Sequence, residues 1–106
     1  MTEQEARDRI VAQQMLLARE CLDDATAAAS RGSSRLAWNR AHYACFHAAT
    51  AVFMARGRRF KKHRGIIKAV HEELVPEGFV GPEQAVAFEG LFAQQRVPGQ
   101  ARDPSF

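Results

Sequence analysis

Residues 35–56 read RLAWNRAHYACFHAATAVFMAR and are the most informative segment for the architecture of the chain. This alanine-rich segment favours a helix, and its apolar residues lie on nearly every side of that helix. A helix that is apolar on most sides is buried against several partners. We therefore predict that this segment is the central helix of an all-α protein, and its few polar side chains carry more information than the surface charges.

Three further helices are predicted around this central helix, over about residues 3–30, 62–75 and 82–97. Thr2 and Glu5 have the spacing of a capping box at the start of the first helix, and Gly32 ends it. Short connections join the four main helices, which predicts an antiparallel up-and-down bundle. We expect one domain over residues 1–106, with residues 98–106 as an irregular tail.

Length and composition exclude several classes of protein. The 106 residues are 46% apolar and 25% charged, as in an ordinary folded domain. No run approaches the roughly 18 apolar residues of a membrane-spanning helix, and residues 1–9 lack the apolar stretch of a secretory signal. We therefore expect a cytoplasmic protein that has no membrane partner.

Cys21 and Cys45 lie within helical patterns, so we expect two buried, reduced thiols.

The net charge of +3 hides an uneven distribution, because residues 25–71 contain ten basic residues and no acidic residue. Six of these basic residues fall within residues 56–64, where they can attract a polyanion such as nucleic acid. The alternative is a solvated basic loop that balances the two acidic flanks of the same domain. The candidate phosphate-binding residues in this run are Arg58, Arg59, Lys61, Lys62 and Arg64.

A second candidate site lies on the central helix, where Arg40, Tyr43 and His47 are spaced to share one side. An arginine fork can bind a phosphate in a bidentate manner, and an imidazole can move a proton. The alternative is structural: neighbouring carbonyls or carboxylates satisfy Arg40 and His47, and Tyr43 packs.

The remaining histidines do not have the spacing of a metal site. No pair has the zinc-binding i, i+4 spacing with a glutamate between, and we expect His71 to be exposed. The sequence also lacks a P-loop and a glycine-rich dinucleotide loop, so neither a metal nor a cofactor is expected.

His63 and Arg64 are placed in the first turn of the third helix, where free N–H groups favour an anion.

Two motifs resemble the HEPN domain family (higher eukaryotes and prokaryotes nucleotide-binding). Residues 37–49, AWNRAHYACFHAA, are similar to the family's central helix, and residues 62–65, KHRG, are similar to the start of the next helix. The resemblance covers about residues 5–97. It implies an antiparallel helical bundle that is usually a homodimer in the prokaryotic cytoplasm. It also implies a possible minimal nucleotidyltransferase partner in a toxin–antitoxin-like pair.

Many members of this family are metal-independent ribonucleases that use an arginine and a histidine with four to six residues between them, usually on a late helix. Arg96 corresponds to that late arginine and is a further candidate phosphate-binding residue, but no histidine follows it. Arg40 and His47 have six residues between them, on the central helix instead.

Three functions stay open at this point. The first is binding of a nucleotide or RNA phosphates, or of a nucleotidyltransferase partner, without catalysis. The second is a metal-independent ribonuclease toxin in which Arg40 stabilises the transition state and His47 moves a proton. The third is a structural dimerisation module. A chain this short buries little surface alone, so we expect a homodimer formed through the second and fourth helices.

Overall fold

The computed structural model describes residues 1–94, and this part of the chain is entirely helical with short turns. The helices are α1 (Glu3–Ser30), α2 (Ser34–Ala55), α3 (His63–Ala69) with a π-helical continuation (Val70–Leu74), and α4 (Pro82–Gln94). The predicted all-α bundle of four main helices is therefore confirmed. The tail predicted over residues 98–106 lies outside the described residues.

The predicted capping box at the start of α1 is present. The Glu5 N–H donates to Thr2 Oγ1 at 3.1 Å, and the Thr2 N–H donates to Glu5 Oε1 at 2.9 Å. Such a cap stabilises a helix by about 1 kcal/mol. Gly32 and Gly57 follow α1 and α2, each at φ +78°, a conformation that L side chains rarely adopt. These local features set where the two long helices begin and end.

The main core forms between α2, α3 with its π-helical continuation, and α4. Phe53 is completely buried at its centre, and Phe88 and Phe92 reach it from α4. The other side of α2 packs along α1 through small residues. The buried residues that α1 contributes are Ala18, Cys21, Ala25 and Ala28.

The third predicted helix is not a regular α-helix throughout. The Val75 N–H donates to the Val70 carbonyl at 3.1 Å, an i→i+5 hydrogen bond that widens the turn. Val70 and Leu74 are both buried within this turn. The apolar spacing alone predicted a helix here but did not distinguish the wider π-helical turn from an α-helical one.

The prediction that both cysteines are buried is right for Cys21 and wrong for Cys45, which is exposed. Cys45 shares a side of α2 with Trp38, which is 49% exposed. The sequence shows that α2 is apolar all round, but the fold leaves Trp38 and Cys45 exposed on one of its sides.

Candidate functional site

The structure brings Arg40, Tyr43 and His47 together in a row on α2. The Arg40 guanidinium carbon lies 5.2 Å from the centroid of the Tyr43 ring. The ring centroids of Tyr43 and His47 are 6.4 Å apart. All three residues are partly buried rather than enclosed. The row therefore has a solvent-accessible edge, as a ligand site requires.

Arg40 has an amide partner and no carboxylate partner within residues 1–94. Its Nε and Nη2 donate to Asn39 Oδ1 at 3.0 and 2.7 Å, respectively. A guanidinium has five N–H donors, so several remain for other acceptors. Partly buried charges are usually paired, because their desolvation is costly. Arg40 thus has both the charge and the donors to bind an anion.

His47 is held in place by α1. Its Nδ1 lies 2.7 Å from Gln14 Oε1. Since an amide oxygen only accepts, Nδ1 carries the hydrogen and the neutral ring keeps its lone pair on Nε2. Burial and, second, the charge of Arg40 lower the pKa of His47 below its ordinary value of 6.5. The imidazole is therefore mainly neutral at pH 7 and can accept a proton or a hydrogen bond.

The basic run divides into paired and unpaired residues. Arg56 forms two hydrogen bonds with the Glu77 carboxylate, at 2.9 and 2.6 Å, and Arg58 forms an ion pair with Glu73. Their charges are thus balanced by the segment that follows α3. The remaining basic residues of the run are exposed and form no ion pair in the part of the chain that the structure describes. They are Arg59, Lys61, Lys62 and Arg64.

His63 begins α3 as predicted, but its side chain lies in the core, with 4% of the residue exposed. Its ring centroid is 3.9 Å from that of Phe46 and 6.2 Å from that of Tyr43. Its imidazole therefore packs beneath the row on α2 instead of reaching a ligand in solvent. Arg64, the next residue, is exposed.

His42 is a buried polar group that the sequence did not single out as a site. It is 1% exposed, and neither ring nitrogen has a hydrogen-bond partner among residues 1–94. Burial lowers its pKa from 6.5 to about 4. Its ring stacks near Phe88 and Phe46, with centroids 5.8 and 6.5 Å away. His42 therefore serves as a neutral aromatic residue of the core.

Arg96 and His71 are the remaining residues that the sequence analysis considered. Arg96 lies outside the described residues. His71 is partly exposed, and its Nε2 lies 3.1 Å from Glu89 Oε1.

Residues 1–94 contain no group of three or more histidine, cysteine or acidic side chains that could hold a metal ion. Among the helices described, none combines the length and hydropathy needed to span a membrane.

Gln14 is the neighbour of the candidate row that sequence reasoning missed. It interrupts the apolar stripe of α1 that faces α2, and it is 33 residues from His47 along the chain. Its position within an apolar stripe is the one signal that could have drawn attention to it, because a polar residue there needs a hydrogen-bond partner.

Comparisons with known proteins agree with the sequence resemblance. The model of the HEPN domain family matches residues 13–98, which is most of the chain. A UPF0332 protein of Thermotoga maritima is 32% identical over 91 residues, which cover 86% of this chain and 69% of that protein. No solved structure matches the chain significantly. From the family match and this relative, we conclude that the chain belongs to the HEPN domain family.

Proposed function

We propose that this chain binds the phosphate groups of a nucleotide or of RNA, with Arg40, Tyr43 and His47 as the central contacts. The observation that carries this proposal is the partly buried Arg40 guanidinium, which has no carboxylate partner within residues 1–94. Phosphate oxygens match the planar fork of a guanidinium and form charge-assisted hydrogen bonds with it. Neutral His47 can accept a hydrogen bond from a ribose hydroxyl beside that phosphate.

The unpaired basic residues after α2 support the same proposal. Arg59, Lys61, Lys62 and Arg64 are exposed and lie between α2 and the first turn of α3. Such charges attract a polyanion over a distance and contribute a salt-dependent part of its affinity. These exposed charges supplement the row on α2. The partly buried side chains of that row contact the ligand more specifically than the exposed charges do.

A matched pair of arginine variants tests the role of Arg40. Both Arg40 and Arg35 lie on α2, but Arg35 is exposed and outside the row. We expect Arg40→Gln to weaken binding of a labelled single-stranded RNA about tenfold or more, as measured by fluorescence anisotropy. Arg35→Gln removes the same charge and should change affinity less than about threefold. Equal losses in both variants, or no binding by the unaltered chain, would overturn the proposal.

A second candidate function is metal-independent RNA cleavage, which the neutral state of His47 beside Arg40 favours. The ribose 2′-oxygen would form a bond to the adjacent phosphorus while His47 Nε2 takes the 2′-hydroxyl proton. Arg40 would stabilise the charge on the phosphate, and the bond from phosphorus to the 5′-oxygen would break. The departing 5′-oxygen would take a proton from water, and protonated His47 would return its proton to solvent. The products are a 2′,3′-cyclic phosphate and a 5′-hydroxyl.

Cleavage is tested by incubating RNA with the chain in EDTA and identifying the ends of the products. We expect 2′,3′-cyclic phosphate ends that disappear in both Arg40→Gln and His47→Asn. If RNA binds but remains intact, the chain is a binding protein without this catalytic activity.

A homodimer is also part of the proposal, and an open stripe on α2 supports it. Its residues are spaced alternately by three and four positions, which is the spacing of helices that pack side by side. Three of them are partly buried, and two are exposed. The stripe consists of Trp38, Ala41, Cys45, Ala48 and Val52, and Val52 at its end also packs against the main core. Val86 on α4, which is 62% exposed, offers further apolar surface.

The family resemblance adds a partner and a setting to this proposal. We infer a minimal nucleotidyltransferase as the partner, in a cytoplasmic toxin–antitoxin-like pair. Copurification of the chain with the product of a neighbouring nucleotidyltransferase gene tests this inference. If the chain forms dimers but binds neither RNA, nucleotide nor such a partner, it is a structural dimerisation module.

A further inference from the structure

A groove lies between the N-terminal turns of α1 and the connection from α2 to α3. It consists of two adjoining hollows, with volumes of about 550 and 260 Å³. The hollows share four lining residues, so they form one continuous depression that we call the α1–loop groove. The shared residues are Ile10, Met54, Arg58 and Arg59.

The larger hollow is positively charged. Arg7 lines it from α1, and Arg58 and Arg59 line it from the connection. Arg58 is paired with Glu73, but Arg7 and Arg59 form no ion pair within the described chain. Glu3 also lines this hollow and reduces its charge without removing it. An anion in the hollow would therefore meet two guanidinium groups that have no carboxylate partner within residues 1–94.

Arg7 reaches from α1 towards the connection. Its Nη1 atom lies 4.0 Å from the position that a Cβ atom of Gly57 would occupy. Gly57 therefore leaves the approach to the Arg7 guanidinium open. This position of Arg7 could not be predicted from the sequence, because Arg7 is 51 positions away from Arg58 and lies in an acidic flank.

The smaller hollow is largely apolar and aromatic. Phe46 and Phe60 line it, together with Ile66 and the shared residues Ile10 and Met54. Thr50 is its polar lining residue apart from the two arginines, and the Thr50 hydroxyl donates to the Phe46 carbonyl at 2.8 Å. The Thr50 oxygen is thus an acceptor for a donor on a bound ligand. Flat aromatic ligands such as nucleobases pack well against such walls.

The groove continues the row of candidate residues on α2. Thr50 and Met54 follow His47 at steps of three and four residues, on the same side of the helix as Arg40 and Tyr43. Arg40 and Met54 are separated by about 21 Å along the helix axis, at 1.5 Å per residue. Arg40 and the charged hollow beside Met54 thus lie at opposite ends of one side of α2.

We propose that the α1–loop groove binds a nucleotide unit, with its phosphate between Arg7 and Arg59 and its base in the aromatic hollow against Phe46 and Phe60. Thr50 accepts a hydrogen bond from an amino group of the base. The inference rests on the proposed function and deepens it, because that function includes contacts to phosphate and ribose but no position for the base. The unit is either a free nucleotide or part of an RNA strand that also reaches Arg40.

Calorimetric titration of the intact chain at low salt tests the groove, with AMP and ribose 5-phosphate as probes. We expect AMP to bind about tenfold more tightly than ribose 5-phosphate, because only AMP fills both hollows. Arg7→Gln should weaken AMP binding about tenfold. Arg9→Gln is the matched control, since Arg9 is exposed on the same helix and lines neither hollow. Equal affinities for the two probes, or equal losses in the two variants, would overturn the proposal.

A second variant tests the base-binding hollow without removing charge. Thr50→Val has nearly the same shape and removes the acceptor. We expect it to weaken AMP about threefold or more and to leave ribose 5-phosphate unchanged. If Thr50→Val reduces binding of both probes equally, the base does not occupy the aromatic hollow. Circular dichroism confirms that each variant remains folded.

A third comparison separates this inference from the proposed function and distinguishes the two sources of the nucleotide. If Arg40→Gln abolishes RNA binding while Arg7→Gln affects neither probe nor RNA, the groove proposal fails and the proposed function stands. If Arg7→Gln weakens AMP and RNA, and Arg40→Gln weakens RNA alone, the groove holds one nucleotide of a strand. If Arg7→Gln weakens AMP and RNA does not bind, the groove holds a free nucleotide, and the Arg40-based RNA proposal fails.

Discussion

The Nδ1 atom of His47 on α2 lies 2.7 Å from the Oε1 atom of Gln14 on α1. This hydrogen bond joins the two long helices at the row of candidate residues and orients the imidazole. It places the protonated nitrogen towards α1 and leaves Nε2 as the acceptor. Gln14 lies outside the recognisable motif of α2, yet it determines the orientation of the His47 ring within that motif.

Replacing Gln14 should both destabilise the chain and release the His47 ring. In Gln14→Leu, a partly buried Nδ1 loses its partner, so we expect a loss of about 1 kcal/mol in the free energy of unfolding. Urea denaturation measures this loss, and nitrogen NMR of the ring reports the change in tautomer. Gln13→Leu is the control, since Gln13 is exposed. A Gln14→Leu variant with unchanged stability and an unchanged tautomer would contradict the structural role of this hydrogen bond.

His42 should make the fold sensitive to mild acid. Its pKa in the folded chain is about 4, against 6.5 ordinarily. Between these values the unfolded chain binds a proton that the folded chain excludes, so stability falls as the pH decreases from 6.5 towards 4. The full difference between the two pKa values corresponds to about 3 kcal/mol in the free energy of unfolding, because one pKa unit is worth about 1.4 kcal/mol. Above pH 6.5 the residue is neutral in both states and has no such effect.

Urea denaturation at several values of pH between 7 and 5 measures this dependence. In His42→Phe the slope of stability against pH should be clearly reduced over this range. His47 contributes in the same direction, because its pKa is also lowered. The lowered pKa values of Glu5 and Glu77 act below about pH 4.5, outside the range measured. An identical slope in His42→Phe would show that another group is responsible.

Two phenylalanines should differ strongly in their contribution to stability. Phe53 is completely buried at the centre of the core, whereas Phe79 is 63% exposed in the turn before α4. We expect Phe53→Ala to reduce the free energy of unfolding by about 3–5 kcal/mol through lost burial and the resulting cavity. Phe79→Ala should cost less than about 1 kcal/mol, mainly through its contact with Arg56. Similar losses in both variants would contradict the placement of the core.

Cys45 should report directly on the proposed dimer. It lies at the middle of the open stripe on α2, and the same stripe faces itself across a two-fold axis when two copies pack. Mild oxidation should therefore produce a disulfide-linked dimer that is seen on a non-reducing gel. Cys21→Ser should retain this product because Cys21 is buried within one copy, and Cys45→Ser should lose it. Cross-linking that requires Cys21 would contradict the proposed interface.

The same interface is tested without oxidation by placing a charge on it. We expect Trp38→Glu to be a monomer by analytical ultracentrifugation, because an unpaired carboxylate is costly to bury. Leu16→Glu is the control, since Leu16 is 58% exposed on α1 and outside the stripe. If Trp38→Glu remains a dimer, the copies associate through another surface.

The helices, and the residues that share each side of them, follow from the order of residues alone. The Thr2–Glu5 cap, Gly32 and Gly57 act within one helical turn, and the α-helix period places Arg40, Tyr43 and His47 in one row. These features depend on residues within about seven positions of one another, so the order of residues is enough to predict them.

The residues that pack against each side of a helix depend on the tertiary fold. It pairs Arg56 with Glu77 and Arg58 with Glu73, encloses His63 beneath α2, leaves Cys45 exposed, and brings Arg7 to the connection after α2. Each of these outcomes joins residues from different helices or turns. Helical period defines the sides of a helix but carries no information about which neighbour packs against each of them. That choice follows from how apolar surfaces on all four helices are buried together, which only the folded chain shows.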